Sequence, residues 1–484
     1  MIPDINWPVI YPEIAICATA ALVMIIDLFL PARHKWFLGA LSIAGVITAL
    51  WLVFRYSTLD ATSFFGMVVN DLTGAYFKTI FCIGSLLALF ASITYQQREF
   101  PDTGEYYTLI LLATFGMMIM ASAVDLIAIF IGLEMMSIPL YVLAGVNQNR
   151  YRSREASMKY FLMGAFASGF LLYGIAFIYG AFGSTNLTNI SLLAAGGTSM
   201  IKGYPLFYVV IGLSLILVGL AFKAGFVPFH MWIPDVYEGS PAPVTAFMSA
   251  GPKAAAIVAL LRIFVINNNL VDFTTVFWVL AVITMTWGNI LALNQTNVKR
   301  MLAYSSIAHA GYVMIALTVG GPEGVAGAAF YLLAYTFMNI GAFAIIILFA
   351  EREEFYENIS DYSGFAQHFP FAAIALTVFL ASLGGIPGTA GFFGKFVIFK
   401  AAIDNGFYWL AVIGVLNSVL SIYYYLKLVM AMYMKQPQDR LIDVAISPTL
   451  MVAIVVTLAG VVWIGLFPTK WLSLANFAAA YVFR

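Results

Sequence analysis

Apolar runs of about 20 residues, the length a helix needs to cross a hydrocarbon core of about 30 Å, recur along almost the whole chain. Short polar, glycine or proline breaks separate them. Read in order they predict fourteen spans: Ile10–Leu30, Phe37–Tyr56, Leu72–Thr94, Tyr106–Ala123, Leu126–Val146, Ala156–Tyr179, Leu206–Phe226, Pro243–Ile266, Thr274–Leu293, Met301–Val319, Gly324–Phe349, Phe371–Ile403, Phe407–Met434 and Thr449–Leu466. The fold class is therefore all-α integral membrane, one membrane domain over residues 1–484. Composition agrees: 62% of residues are hydrophobic and 10% charged, where soluble domains carry about 25% charged residues.

The first span opens with Asp4 and Glu13 and no basic residue. It lacks the basic start of a cleavable signal peptide and is expected to be retained. Cys17 and Cys82 both fall in apolar spans, with no Cys-x-x-Cys or Cys/His cluster, so no metal site is expected and no redox centre has ligands here. A net charge of zero gives no argument for a nucleic-acid partner.

Loops after odd-numbered spans hold Arg33, Lys35, Arg98, Arg150, Arg152, Arg154, Lys299, Arg300, Arg352, Lys435 and Arg440. The opposite side holds Arg55, Lys202, Arg262, Lys400, Lys470 and Arg484. Eleven against six places the odd loops in the cytoplasm and both termini outside.

Six lysines remain, and all lie within spans: Lys78, Lys159, Lys223, Lys253, Lys395 and Lys427. A lysine at the centre of a membrane helix costs about 2.5 to 3.5 kcal/mol on insertion scales, and such residues usually face a bundle interior or a water path. Snorkelling to the headgroups suits Lys78 and Lys427, which lie near span ends, and remains open for Lys159. Lys223, Lys253 and Lys395 each stand beside a glycine or proline that breaks or kinks a helix at depth. Glu134 is the one carboxylate expected deep in a span, and one acid cannot neutralise six bases. Buried amines short of counter-ions can hand protons along, with the Glu134 ion pair as the switch.

In Gly219-Leu-Ala-Phe-Lys223-Ala-Gly-Phe-Val-Pro228-Phe-His230 the proline removes a ladder hydrogen bond, so the seventh span is expected to break near Lys223. A second such segment is Ala381-Ser-Leu-Gly-Gly-Ile-Pro387-Gly-Thr-Ala-Gly391-Phe-Phe-Gly394-Lys395, with its lysine 172 residues later. Tyr160-Phe-Leu-Met-Gly-Ala-Phe-Ala-Ser faces Tyr331-Leu-Leu-Ala-Tyr-Thr-Phe-Met-Asn at a shift of 171. Five spans separate equivalent points, and five is odd, so the second copy lies upside down. The expected organisation is helices 1 to 3 over 10–94, a five-helix repeat over 106–266, an inverted copy over 274–434, and helix 14 over 449–466. Inverted repeats with discontinuous helices, here the seventh and twelfth, place sites near the midplane. His309, in the tenth span, is a candidate bridge between the halves or a core histidine bonded to a carbonyl. His230, beside Asp235 and Glu238, reads as a gate or structural residue.

On these residues the chain resembles the antiporter-like subunits of the proton-pumping NADH:quinone oxidoreductase, respiratory complex I. The most specific element is Phe226-Val-Pro-Phe-His-Met-Trp-Ile-Pro-Asp-Val-Tyr-Glu238-Gly-Ser-Pro-Ala-Pro-Val-Thr-Ala, and the resemblance runs over essentially the whole length. Glu134-Met-Met-Ser-Ile-Pro-Leu-Tyr-Val-Leu-Ala-Gly and Arg154-Glu-Ala-Ser-Met-Lys159-Tyr-Phe-Leu-Met-Gly-Ala-Phe-Ala-Ser-Gly resemble the N type, the relative of mitochondrial subunit 2. The early end after the fourteenth span, and a lysine rather than a glutamate at 395, also separate it from the L and M types.

The resemblance implies a pair of Glu134 with Lys223, a central relay residue at Lys253 and an exit group at Lys395, with Lys159 as a further member. It implies a translocase subunit without redox chemistry of its own. FMN, iron–sulfur clusters, NADH and quinone would then be bound by other subunits, with L-, M- and K-type membrane subunits as partners in a bacterial inner membrane. Three other readings stand beside it: a subunit of a multi-subunit cation/proton antiporter, an inert scaffold between active subunits, and a membrane glycosyltransferase, for which no large loop domain or acidic cluster is present.

Overall fold

The structure, a computed structural model, describes residues 5–31, 34–100, 103–195, 206–265, 271–348, 357–436 and 447–480. Arg33, Lys202, Arg352, Arg440 and Arg484 from the loop count lie outside these residues.

The first half of the chain forms α1 (Tyr11–Asp27), α2 (Trp36–Tyr56), α3 (Leu72–Glu99), α4 (Glu105–Ser122), α5 (Leu126–Ala144), α6 (Tyr151–Phe182), a short α7 (Leu187–Ala195), α8 (Leu206–Ala224), α9 (Trp232–Gly239) and α10 (Ala242–Leu260). The second half forms α11 (Thr274–Leu293), α12 (Val298–Val319), α13 (Gly321–Ile347), one turn of α14 (Phe365–His368), α15 (Pro370–Gly384), α16 (Ala390–Asp404), α17 (Tyr408–Met434), α18 (Pro448–Leu466) and α19 (Pro468–Ala480). Among the described residues thirteen helices are long and apolar enough to cross a membrane. The one remaining expected span, the twelfth at Phe371–Ile403, is the broken pair α15 and α16.

Besides the short helices α7, α9 and α14, a hairpin and a C-terminal helix add to the expected set. A hairpin pairs Ala61–Ser63 with Val68–Asn70 between α2 and α3. α19 follows α18, and Thr73 at the start of α3 donates to its Ala478 carbonyl at 2.6 Å.

The apolar stretches of α10 and α13 are wholly buried, whereas only 33% of the α6 stretch is. α10, α12 and α13 therefore make the centre, and α1, α2, α6, α11, α17 and α18 form the rim that carries the exposed apolar side chains. A helix apolar on every side is what a span in lipid requires.

Both breaks fall where glycine and proline predict. α8 stops at Ala224, and Gly225 turns the chain with φ +84, where a Cβ would lie 2.3 Å from Ile233. α15 stops at Gly384, and Gly385 takes φ +85. The lysines differ in placement: Lys223 closes α8 before its break, while Lys395 follows its break, within α16.

A second regularity needs no side-chain likeness. Asp125 bridges Asn186, and Asn297 bridges Asn358, both pairs related by the same shift of 172 residues. In the first clasp Leu126 N donates to Thr185 O and Leu187 N to Val124 O. In the second Val298 N donates to Glu357 O and Ile359 N to Thr296 O. Asp125 caps α5 and Asn297 caps α12. Five crossings, α5, α6, α8, α10 and α11, separate the clasps, which puts them on opposite membrane faces.

Candidate functional site

Lys223, Lys253 and Lys395 are 2%, 4% and 3% exposed, and among the described residues none forms an ion pair. Each ammonium is held by neutral acceptors and an aromatic face. Lys223 Nζ donates to the Tyr141 hydroxyl at 2.8 Å and lies over the rings of Tyr141 and Tyr160 at 4.7 and 5.1 Å. Lys253 Nζ donates to Ser306 O at 2.8 Å and Ser306 Oγ at 2.7 Å. Lys395 Nζ donates to Leu383 O, Gly384 O and Ser418 Oγ at 2.9, 3.1 and 2.8 Å, and lies 4.8 Å from the Tyr312 ring. The first two of these acceptors are last-turn carbonyls of α15, which the break leaves without intrahelical donors and which carry the negative end of the helix dipole. The broken helix thus creates the cradle for its own lysine.

His309 is buried, with Nδ1 2.5 Å from the Tyr331 hydroxyl and Nε2 3.1 Å from that of Tyr425. Its partners are two phenols and not the carbonyl that the alternative reading required. Tyr425 also bonds Ser305. Ser306 and His309 are one turn apart on α12, and with Lys253, Tyr331 and Tyr335 they line a cavity of about 10 Å³, room for about one water. Tyr312, one turn beyond His309, carries Lys395 on its ring. One face of α12 therefore joins Lys253 to Lys395.

Between Lys223 and Lys253 the wall is aromatic. Trp232 stacks on Tyr160 at 4.3 Å, and its Nε1 donates to Phe222 O at 2.9 Å. Lys253 lies 5.8 Å from the Tyr237 ring, which meets Trp232 edge-on.

Three sequence expectations need correction. Glu134 does not pair with Lys223: its Oε1 is buried without a hydrogen-bond partner, and Tyr141 holds the ammonium. Glu134 is half-buried on α5, at the border with exposed Ile131 and Ile138.

Lys159 stands apart from the buried lysines. Its side chain is 41% exposed and pairs with Glu155 at 2.7 Å and Asp235 at 2.8 Å. Arg300 bridges Asp235 and Glu238, and Arg152 pairs with Glu357, completing a charged cluster. Partial burial raises the Asp235 carboxyl, but hydrogen bonds from Lys159 and Arg300 outweigh it and hold the group below its ordinary range.

Lys78 does not snorkel. It is 1% exposed and pairs with Glu13 at 2.7 Å, so Glu134 is not the only deep carboxylate. α1 packs on α4, and α4 on α3, which brings Glu13 in the first turn of α1 to Lys78 in the second turn of α3. Nearby, Arg262 pairs with Asp71 at 2.8 Å, also buried. Lys427 reaches the Gln295 carbonyl at 3.4 Å beyond the end of α11, as a lysine seeking a span end does.

Residues 123–421 match the transmembrane family described as NADH:quinone oxidoreductase/Mrp antiporter. The chain belongs to that family. Within the NADH:quinone oxidoreductase/Mrp antiporter family it is 45% identical over 480 residues to NADH-quinone oxidoreductase subunit N of Trichlorobacter lovleyi, covering 99% of this chain and 98% of the relative. A chain of respiratory complex I from Thermus thermophilus with bound aureothin superposes with TM-score 0.81 at 32% identity, over 96% of this chain and 99% of that one. A chain of the Mrp complex from Dietzia sp. gives TM-score 0.82 at 22% identity over 99% and 97%, a likeness of fold.

The residues that sequence reasoning missed are the hydroxyl carriers: Tyr141, Ser306, Tyr331, Ser418 and Tyr425. At the repeat shift of 172, Glu134 corresponds to Ser306, Lys223 to Lys395 and Lys253 to Tyr425. That register was available in the sequence, and it marks Ser306 and Tyr425 as positions of interest.

Proposed function

We propose that this chain is the N-type membrane-arm subunit of a proton-pumping NADH:quinone oxidoreductase, moving protons through Lys223, Lys253, His309 and Lys395. The observation that carries the reading is the trio of buried ammonium groups solvated by hydroxyls, carbonyls and rings in place of carboxylates. Such a group gives up a proton without stranding a buried anion. The proton moves from a protonated lysine amine to the next neutral amine or imidazole, through Ser306, the Tyr331 and Tyr425 hydroxyls and water in the small cavity.

Electron transfer takes place in other subunits, which hold FMN, the iron–sulfur clusters, NADH and quinone. Quinone reduction there shifts the charge balance at Glu134 and Lys223, and the relay answers. Each proton moved against 100 mV costs about 2.3 kcal/mol, within reach of rearranging one or two hydrogen bonds to a charged group, at about 1.5 to 3 kcal/mol each. Membrane subunits of the L, M and K types are the partners, the bacterial inner membrane is the site, and both termini face the periplasm. Residues 106–266 and 274–434 act as two inverted units, a division supported by the matching clasps on opposite faces.

The family and the Dietzia fold likeness also favour a second reading, a cation/proton antiporter subunit. A metal cation needs oxygen ligands, carboxylates above all, and the three lysines offer it positive charge instead. Sodium-dependent transport would support that reading over ours. The deciding experiment places Glu134→Ala and Lys223→Ala in the assembled complex and measures protons pumped per NADH oxidised. A fall in both supports the relay, and an unchanged ratio in both overturns it.

A further inference from the structure

Lys223 has two possible acceptors on one helix. Glu134 and Tyr141 are seven residues apart on α5, two turns, and so share a face. Side chains on a helix lean toward its N-terminus, which carries the Tyr141 hydroxyl toward Glu134. The hydroxyl holds the ammonium at 2.8 Å while Glu134 Oε1, buried, has no partner.

The tyrosine is fixed where it stands. Its ring meets Tyr160 edge-on at 4.7 Å, and Tyr160 is clamped on Trp232. Across from it α6 carries Gly164, where a Cβ would lie 2.1 Å from the Tyr141 oxygen. Only a residue without a side chain admits the hydroxyl there. Lys223, by contrast, has a flexible four-carbon stem.

We propose that Tyr141 is a positioning residue that competes with Glu134 for the Lys223 ammonium, holding the lysine off the carboxylate in the arrangement seen here. The inference rests on the proton-relay reading. A phenol accepts the hydrogen bond without adding a negative charge, so Lys223 is oriented by Tyr141 but not locked as it would be in an ion pair. Without the hydroxyl the ammonium falls to Glu134, and the pair no longer opens.

The test uses the assembled complex in proteoliposomes, with protons pumped per NADH oxidised as the readout. Tyr141→Phe keeps the ring and its edge contact, and pumping is expected to fall about tenfold, the equivalent of one hydrogen bond to a charged group. Gly164→Ala, which displaces the hydroxyl without removing it, is expected to lower pumping likewise. The discriminating variant is Tyr141→Phe with Glu134→Gln. Competition predicts that the double variant is no worse than Glu134→Gln alone, because no carboxylate remains to capture the lysine. A packing role predicts that the two losses multiply.

Wild-type pumping in Tyr141→Phe, or multiplied losses in the double variant, overturns the inference while leaving the relay reading in place. Full pumping in Glu134→Gln removes the relay switch, and the inference falls with it.

Discussion

Glu13→Ala is expected to damage the protein far more than its position in the first turn of α1 suggests. The Glu13 and Lys78 side chains are 5% and 1% exposed, and their charged atoms are 2.7 Å apart. Removing one member of such a pair strands the other, at about 3 to 5 kcal/mol. Replacing both, as Glu13→Leu with Lys78→Met, removes the stranded charge, and the cost should shrink to roughly zero or become a gain. The assay is thermal unfolding of the purified complex, together with the yield of assembled complex and protons pumped per NADH. The single variant should lose stability, and the double variant should recover it with the pumping ratio intact. A single variant as stable as the wild type, or a double variant as impaired as the single, would refute the reasoning.

His309→Phe keeps the ring volume but removes both phenol contacts, and protons pumped per NADH are expected to fall at least about tenfold, the equivalent of either one of the two lost hydrogen bonds at about 1.5 kcal/mol. An unchanged ratio would place the proton path elsewhere. Asp235→Asn should lower the melting temperature at neutral pH by loosening Lys159 and Arg300 from α9. Because the folded Asp235 carboxyl lies below its ordinary range, its contribution is present above about pH 4 and is lost as pH falls further. Melting curves of the two proteins should therefore converge in acid, and a constant gap would rule this out.

Span count, helix breaks and the depth of Lys223, Lys253 and Lys395 were legible in the sequence, because apolar length, proline and glycine act locally. Contacts between helices were not. A soluble helix shows by its polar stripe which side is inward, but α5, α8 and α10 are apolar all round. Nothing in their pattern says that Tyr141 and not Glu134 meets Lys223, or that Glu13 reaches Lys78. Lys159 misled for a related reason. Its position four residues into an apolar run is the same whether the run points it inward or, as here, toward Asp235 and Glu155.

The clasps at Asp125 and Asn297 give each half a fulcrum, and the fulcra sit at opposite ends. A rod pinned at one tip swings widest at the other. Measured from Asp125, Glu134 is about 14 Å along α5 and Tyr141 about 24 Å, so any sway of that rod sweeps the phenol nearly twice as far as the carboxylate. In the second half the pin lies on the other side of the bilayer, and Ser306, nine residues beyond Asn297, stands about 14 Å from it, so the same tilt moves that serine no farther than Glu134.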